Sequence, residues 1–181
     1  MASAISHPAV ALAVGAVFTK EQLPRRFWLL GAACTLLPDI DVLGMLIGIG
    51  YSDMLGHRGI THSAAFAAVL ALLFGLPMAA RDRSVSKACL ISYLFLCTAS
   101  HGLLDALTDG GLGVAFFAPF SNSRYFLPWR PIPVSPFSPV DFFGPRGITI
   151  LLRELQWAWL PSLGTALIAR LIRHTLAHRR R

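Results

Sequence analysis

Charge is scarce in this sequence. Of the 181 residues, 14% are charged and 55% are hydrophobic, with a mean hydropathy of +0.60, whereas about 25% of a soluble domain is charged. This balance argues against a soluble globular protein and predicts an integral membrane protein. The length suits one compact domain, and no low-complexity linker or internal repeat divides the chain.

Several motifs are also missing. Three cysteines, Cys34, Cys89 and Cys97, lie in apolar runs without a CxxC pair, so neither a zinc knuckle nor a disulfide framework is expected. There is no G-x-S-x-G elbow, and no Walker or dinucleotide glycine motif. Basic residues do not precede the first apolar stretch, so we expect no cleaved signal peptide.

What the sequence does contain is a set of apolar segments. They predict an all-α, polytopic membrane helical bundle of about five segments, at about 5–18, 27–49, 60–79, 87–107 and 148–172. The first is short for a span, which needs about 20 residues. The second contains Pro38, which predicts a kink or two half-helices, because proline removes a helical hydrogen bond.

Residues 108–147 are rich in glycine, proline and aromatic residues. A loop of this length is typical of a functional lid or a disordered link, and its many aromatic side chains favour an ordered extracytoplasmic cap at the membrane interface. We therefore predict a single membrane-embedded domain, 1–181. It consists of a helical core at 5–107, a cap at 108–147, and a last helix with a basic tail at 148–181.

Basic residues give the chain a formal charge of +7. They concentrate between alternate apolar segments, so the positive-inside rule explains them better than direct nucleic-acid binding does. The rule predicts an external N-terminus and a cytoplasmic C-terminus. The residues on the predicted cytoplasmic side are Lys20, Arg25, Arg26, Arg81, Arg83, Lys87, Arg170, Arg173, Arg179, Arg180 and Arg181.

Four polar clusters interrupt the apolar surroundings. Imidazoles and carboxylates in such runs are costly and are functional by default. With the topology above, all four clusters reach a similar depth in the outer half of the membrane. They are His7, then Asp39 with Asp41, then His57 to His62, then His101 with Asp105.

Three of these clusters leave two interpretations open. His101 and Asp105 share a helix face and can hold a divalent ion, or can form a helix-surface hydrogen bond. Asp39 and Asp41 at the proline break can be ligands and a general base, or solvated turn residues. Arg58 can pair with a phosphate or carboxylate, or can snorkel at the interface.

Together, four histidines and three aspartates supply enough ligands for one to three divalent ions, with zinc expected and manganese or iron as alternatives. Such a centre favours metal-assisted hydrolysis, because a bound ion lowers the pKa of water and polarises the attacked group. The same residue types also serve proton or metal transport. Transporters, however, commonly show repeated halves, and none appears here. The remaining histidines, His174 and His178, are expected on the cytoplasmic surface.

These residues resemble a known family. His7-Pro8, Leu37-Pro38-Asp39-Ile40-Asp41, the run from His57 to Ser63, Ser100 to Asp105 with Thr108, and Phe117 to Tyr125 resemble bacterial membrane-bound metal-dependent hydrolases, described as LexA-regulated or LexA-binding inner-membrane proteins. The resemblance covers roughly residues 7 to 135. It implies an inner-membrane location and, more distantly, a similarity to zinc-dependent phospholipase C, which favours phosphoester hydrolysis.

The resemblance also implies a set of functional residues. The metal ligands would be His7, Asp39, Asp41, His57, His62, His101 and Asp105. Our own candidates for an anionic head group are Arg58, Arg124 and Arg130, and those for catalysis are Asp39, Asp41 and Arg58.

A site in the outer half of the bilayer is placed to receive a lipid from the side. We therefore predict a phospholipid or lipid-linked phosphate as substrate. An ester or amide of another membrane substrate, and transport, remain the alternatives, and the oligomeric state stays open.

Overall fold

The computed structural model describes residues 1–18, 24–136 and 138–178. Over these residues the chain is 66% helix and contains no strands, which confirms the all-α prediction. Lys20 and Arg179 to Arg181, four members of the predicted cytoplasmic set, lie outside the described residues.

The first half of the chain forms two helices and a broken extension. In order these are α1 (Ser6–Phe18), α2 (Arg25–Leu36), a 3-10 turn (Leu37–Asp41) and α3 (Val42–Leu46). The break expected at Pro38 is present, because α2 ends at Leu36 and the chain tightens into the 3-10 turn at the proline. Asp39 and Asp41 lie within this turn.

The rest of the chain contains the longest helices and a π turn. A 3-10 turn (Ile60–His62) precedes α4 (Ala64–Arg81) and α5 (Lys87–Ala106). Then come α6 (Pro139–Phe142), α7 (Pro145–Glu154), the π turn (Leu155–Trp159) and α8 (Leu160–His178).

Among the described residues, three helical stretches are long and apolar enough to cross a membrane. They are Arg25–Leu46, Ala64–Arg81 and Lys87–Ala106, and the apolar part of α1, Ser6–Val17, is shorter. The five-segment prediction is thus matched in part. The 13 residues of α1 extend only about 20 Å at 1.5 Å per residue, and α8 carries Arg170, Arg173 and His174.

Helix α5 lies at the centre of the bundle and packs against α1, α2 and α4. The core around it is apolar and includes the fully buried Phe27, Leu90 and Tyr93. Cys34 and Cys97 are free thiols buried in the same core.

Two polar contacts join helix ends on one side of the bundle. Arg26 at the start of α2 forms an ion pair with Asp82, which follows α4. Arg173 of α8 donates to the carbonyls of Ala16 (2.6 Å) and Val17 (2.7 Å) at the end of α1. The basic helix ends therefore meet at one end of the bundle, and the polar clusters lie at the opposite ends of α1, α2 and α5.

The segment after α5 is irregular but held by backbone hydrogen bonds. Ala115 N donates to Arg58 O (2.9 Å), Leu127 N to Ala106 O (2.9 Å), and Ser135 N to Met1 O (2.9 Å). These bonds fasten the segment to the chain around Arg58 and to the end of α5, beside the polar clusters. Its role as an extracytoplasmic cap, and the single-domain division, stay predictions.

Candidate metal centre

Four side chains from three parts of the fold converge on one point. They are Asp39 of the broken segment, His62 before α4, and His101 and Asp105 of α5, and each offers one ligand atom within 4.8 Å of the others. The approach is close at His62, because a Cβ on Gly102 would lie 2.8 Å from the His62 carbonyl. Only glycine lets α5 come this near.

The spacing of these ligand atoms fits a tetrahedral ion. His101 Nε2 lies 3.1 Å from His62 Nε2 and 3.3 Å from Asp39 Oδ1. His62 Nε2 lies 3.7 Å from Asp39 Oδ1 and 3.6 Å from Asp105 Oδ2. A tetrahedral site with ligands at about 2.0–2.1 Å has edges of about 3.3 Å, so these four distances suit an ion of that size.

Hydrogen bonds at the other ring nitrogens fix both histidines. His101 Nδ1 lies 2.6 Å from Thr35 O, and a carbonyl only accepts, so Nδ1 carries the proton. His62 Nδ1 lies 3.2 Å from the Asp41 carboxylate and donates likewise. Both Nε2 lone pairs therefore face the carboxylates of Asp39 and Asp105, and four acceptors in close contact need a shared cation.

The carboxylates around His62 favour the protonated form of its imidazole. Burial lowers the pKa of His62, but hydrogen bonds to the carboxylates of Asp105, Asp39 and Asp41 outweigh it and raise the pKa to about 10. A metal ion bound here would displace this proton, because a histidine ligand must be deprotonated.

Asp41 holds the surrounding chain. Its carboxylate lies 2.7 Å from His57 Nδ1, accepts from Thr61 Oγ1 at 2.5 Å and accepts from the Arg58 backbone at 3.1 Å. Asp41, His57 and His62 form a second group able to hold an ion. The two groups share His62, whose Nδ1 faces Asp41, so the geometry gives Asp41 an orienting contact with the first centre.

Arg58 is buried in the site. Its backbone has a φ of +62°, a left-handed conformation that costs a non-glycine residue about 1–2 kcal/mol. The guanidinium lies 2.9 Å from Asp105 Oδ2 and donates to Thr108 Oγ1 (2.9 Å) and Gly110 O (2.8 Å). The side chain is therefore fully engaged inside the protein, which does not fit a snorkelling interface arginine.

The other predicted arginines have different surroundings. Arg124 donates to the carbonyls of His57 (2.8 Å), Asp53 (2.9 Å) and Tyr51 (3.1 Å), so it braces the loop before His57. Arg130 is exposed, and its guanidinium lies 4.7 Å from the Phe126 ring centroid. Their contact with a substrate anion stays a prediction.

His7 completes the cluster from α1. Its ring stacks on His101, with centroids 3.7 Å apart, and its Nε2 lies 3.8 Å from Asp105 Oδ1. Neither ring nitrogen has a hydrogen-bond partner although the side chain is buried. The structure thus brings all seven predicted ligand residues together, and four of them share one centre.

Two contributions near the site were missed by the sequence. The Ala2 backbone donates to Asp105 Oδ1 at 2.7 Å. The buried carboxylate of Glu154 accepts from Ser3 N (2.5 Å), Ser3 Oγ (2.5 Å) and Ser6 Oγ (2.7 Å). Glu154 thereby anchors the chain that carries Ala2 and His7. The sequence signal that could have pointed to Glu154 is a carboxylate beside an apolar segment.

The charges of the centre favour a divalent cation. The centre contains the three carboxylates of Asp39, Asp41 and Asp105, and the guanidinium of Arg58 pairs with Asp105. Buried charge of this kind requires a partner. The donor set of imidazoles and carboxylates therefore fits zinc, and manganese or iron as well.

The fold and this centre define a helical membrane protein with a buried His/Asp cluster able to hold a cation. The chain belongs to the family described as YdjM inner membrane protein, which it matches over residues 1–177. It is 39% identical over 166 residues to inner membrane protein YbcI of Escherichia coli (strain K12), covering 90% of this chain and 94% of that one. No solved structure matches the chain.

These comparisons support the inner-membrane location that the resemblance implied. Neither description mentions a hydrolase, zinc or a lipid. Hydrolysis, the identity of the metal and the distant similarity to zinc-dependent phospholipase C therefore stay predictions.

Proposed function

We propose that this protein is a metal-dependent hydrolase that cleaves a phosphoester of a phospholipid or lipid-linked phosphate at the outer face of the inner membrane. The observation that carries the proposal is the convergence of Asp39, His62, His101 and Asp105, with both imidazole Nε2 atoms turned inward. A buried set of two imidazoles and two carboxylates is suited to a divalent ion, and zinc is the ion we expect.

An ion held by these residues would polarise the phosphoryl group and lower the pKa of a water molecule. With His62, His101 and Asp105 as ligands, the fourth position of a tetrahedral ion would be open to water. Asp39 is the candidate general base, because its side chain is 14% exposed whereas those of the three ligands are fully buried. Asp41 keeps His57 and His62 in orientation. Arg58 holds Asp105 and balances part of its charge.

The outer location follows from the two ends of the bundle. Positive charge marks the cytoplasmic side, and the ends joined by Arg26 and Arg173 carry it. The candidate centre lies at the other end, so we assign it to the periplasmic side, with the N-terminus outside and the C-terminus in the cytoplasm.

The substrate class follows from the membrane location and from the exposed Arg130. Arg58 and Arg124 have internal partners, so Arg130 is the arginine of the three best placed to meet a head group from solvent. Phosphoester cleavage is further favoured by the resemblance to zinc-dependent phospholipase C.

The test is hydrolysis by purified protein in vesicles of bacterial phospholipids, with metal content measured on the same sample. We expect stoichiometric metal and release of phosphate or a phosphorylated head group, both lost in Asp105→Ala. His178→Ala, an exposed histidine of α8, is the matched control and should behave as wild type. Release of fatty acid would favour the ester or amide alternative, and protein without stoichiometric metal would refute the proposal.

A further inference from the structure

An apolar cavity of about 530 Å³ opens beside the candidate centre. Its walls include Ile5, Leu43, Pro136, Phe142 and Phe143, together with Asp39. Among the described residues that line it, Asp39 alone belongs to the four-residue metal group. The cavity therefore reaches the centre through its one partly exposed member.

We propose that this cavity is an acyl-chain subsite, in which one hydrocarbon tail of a membrane lipid lies with the lipid's polar end at Asp39. The volume is within the range of about 300–1,000 Å³ that is typical of ligand sites. The binding of the tail is inferred from the cavity alone. A role of this binding in selecting the substrate rests on the proposed function.

The first support is the place of the cavity in the bundle. Leu43 belongs to α3 and therefore to the candidate span Arg25–Leu46. The cavity thus lies beside the end of a helical stretch that is long and apolar enough to cross the hydrocarbon layer, where lipid tails are the surrounding medium.

The second support is the chemistry of the rim. Ile5 is 50% exposed, Leu43 58% and Phe143 85%. Large apolar side chains exposed this far are expected in contact with hydrocarbon. Ser3, Ser135 and Ser138 supply the hydroxyls of the lining, and among its described side chains the one carboxylate is that of Asp39.

A second cavity of the same bundle provides a control. It has a volume of about 350 Å³ and is lined by α1, α5 and α8, including Val14, Leu96 and Leu103. It is equally apolar, but no member of the candidate metal centre lines it among the described residues. A tail that binds merely because a cavity is apolar would occupy both.

The experiment uses full-length protein in vesicles containing a phosphatidylethanolamine with a photoreactive diazirine near the end of one acyl chain. Cross-linked residues are mapped by mass spectrometry. We expect cross-links concentrated on α3, α6 and Phe143, competed by unlabelled lipid. Leu43→Trp should lower their yield about tenfold, the size of effect that small steric changes cause in an apolar pocket, and Val14→Trp should not.

Phe143→Trp narrows the same cavity from its exposed side and replaces Leu43→Trp if that variant does not fold. Cross-links spread evenly over the lipid-facing helices, or concentrated between two copies of the chain, would overturn the subsite. Hydrolysis is measured on the same vesicles. Localised cross-links without hydrolysis would support the subsite and reject the proposed function. Hydrolysis with evenly spread cross-links would support the proposed function and reject the subsite.

Discussion

The hydrogen-bond acceptor at the Nδ1 atom of each imidazole decides which nitrogen faces the centre, because the other nitrogen, Nε2, then points inward. Thr35 O accepts a hydrogen bond from Nδ1–H of His101, and the Asp41 carboxylate accepts one from Nδ1–H of His62. Partners of this kind fix the tautomer of metal-binding histidines and raise their basicity. At the scale of single residues, Asp41 is thus an orienting group for the centre, besides being a candidate ligand of the second group.

Replacing Asp41 separates these two roles. In Asp41→Asn we expect metal affinity to fall about 10- to 100-fold, because the amide no longer holds His57 and His62 as a carboxylate does. Affinity is measured by competition with a chelator in detergent. Asp82→Asn, at the opposite end of α4, is the control and should leave affinity unchanged. Complete loss of the ion would instead make Asp41 a direct ligand.

The sequence predicts the side chains of the centre but not their partners. His62, His101, Asp39 and Asp105 stand out because they are ionisable groups in apolar runs. Thr35 O and Ala2 N are backbone atoms, which give no signal in a sequence. The buried guanidinium of Arg58 was equally hidden, since its contacts with Asp105 and Thr108 depend on how distant segments meet.

At the scale of elements, the approach of α5 to the turn before α4 depends on Gly102. In Gly102→Ala the new Cβ would meet His62 O at 2.8 Å, so the turn must shift. We expect a loss of about 1–3 kcal/mol of stability, as for other overpacked sites, together with weaker metal binding. Thermal unfolding in detergent and metal content measure the two effects.

Gly164→Ala is the matched control, because a Cβ there meets nothing within 4 Å. It should leave metal binding unchanged and can strengthen α8 by up to about 1 kcal/mol, the difference in helix propensity. If both substitutions lower metal binding equally, the close packing at Gly102 is not what positions His62.

Glu154 connects the end of α7 to the start of α1. Glu154→Ala leaves the buried donors of Ser3 and Ser6 without their acceptor, and each such group costs about 1–3 kcal/mol. We expect a lower unfolding temperature in detergent. Gln156→Ala, an exposed neighbour, should not change it. An unchanged unfolding temperature in Glu154→Ala would show that this carboxylate does not anchor α1.

At the scale of the whole molecule, hydropathy predicted the apolar helices but not how many of them span the membrane. The break at Pro38 followed from proline chemistry and is present. The count of five stays a prediction, because α1 is short and α8 carries basic residues, and the role of such helices depends on their neighbours. The path of residues 108–135 was beyond sequence patterns, since long-range backbone hydrogen bonds hold it.

The charge distribution predicts the orientation of the bundle. Green fluorescent protein fused to the C-terminus should fluoresce in the cytoplasm, and alkaline phosphatase inserted at Asp53, between α3 and α4, should be active. A fusion after Arg83, between α4 and α5, should be fluorescent. The opposite pattern would place the candidate centre on the cytoplasmic side and contradict the assignment to the outer face.

The most direct measurement of the central claim is elemental analysis with X-ray absorption spectroscopy on the purified full-length protein. We predict at least one divalent ion per chain, with nitrogen and oxygen ligands at about 2.0–2.2 Å, including imidazole. The signal should be lost in His101→Ala and kept in His178→Ala. Folded wild-type protein that binds no divalent ion, even when zinc, manganese or iron is supplied, would contradict the account.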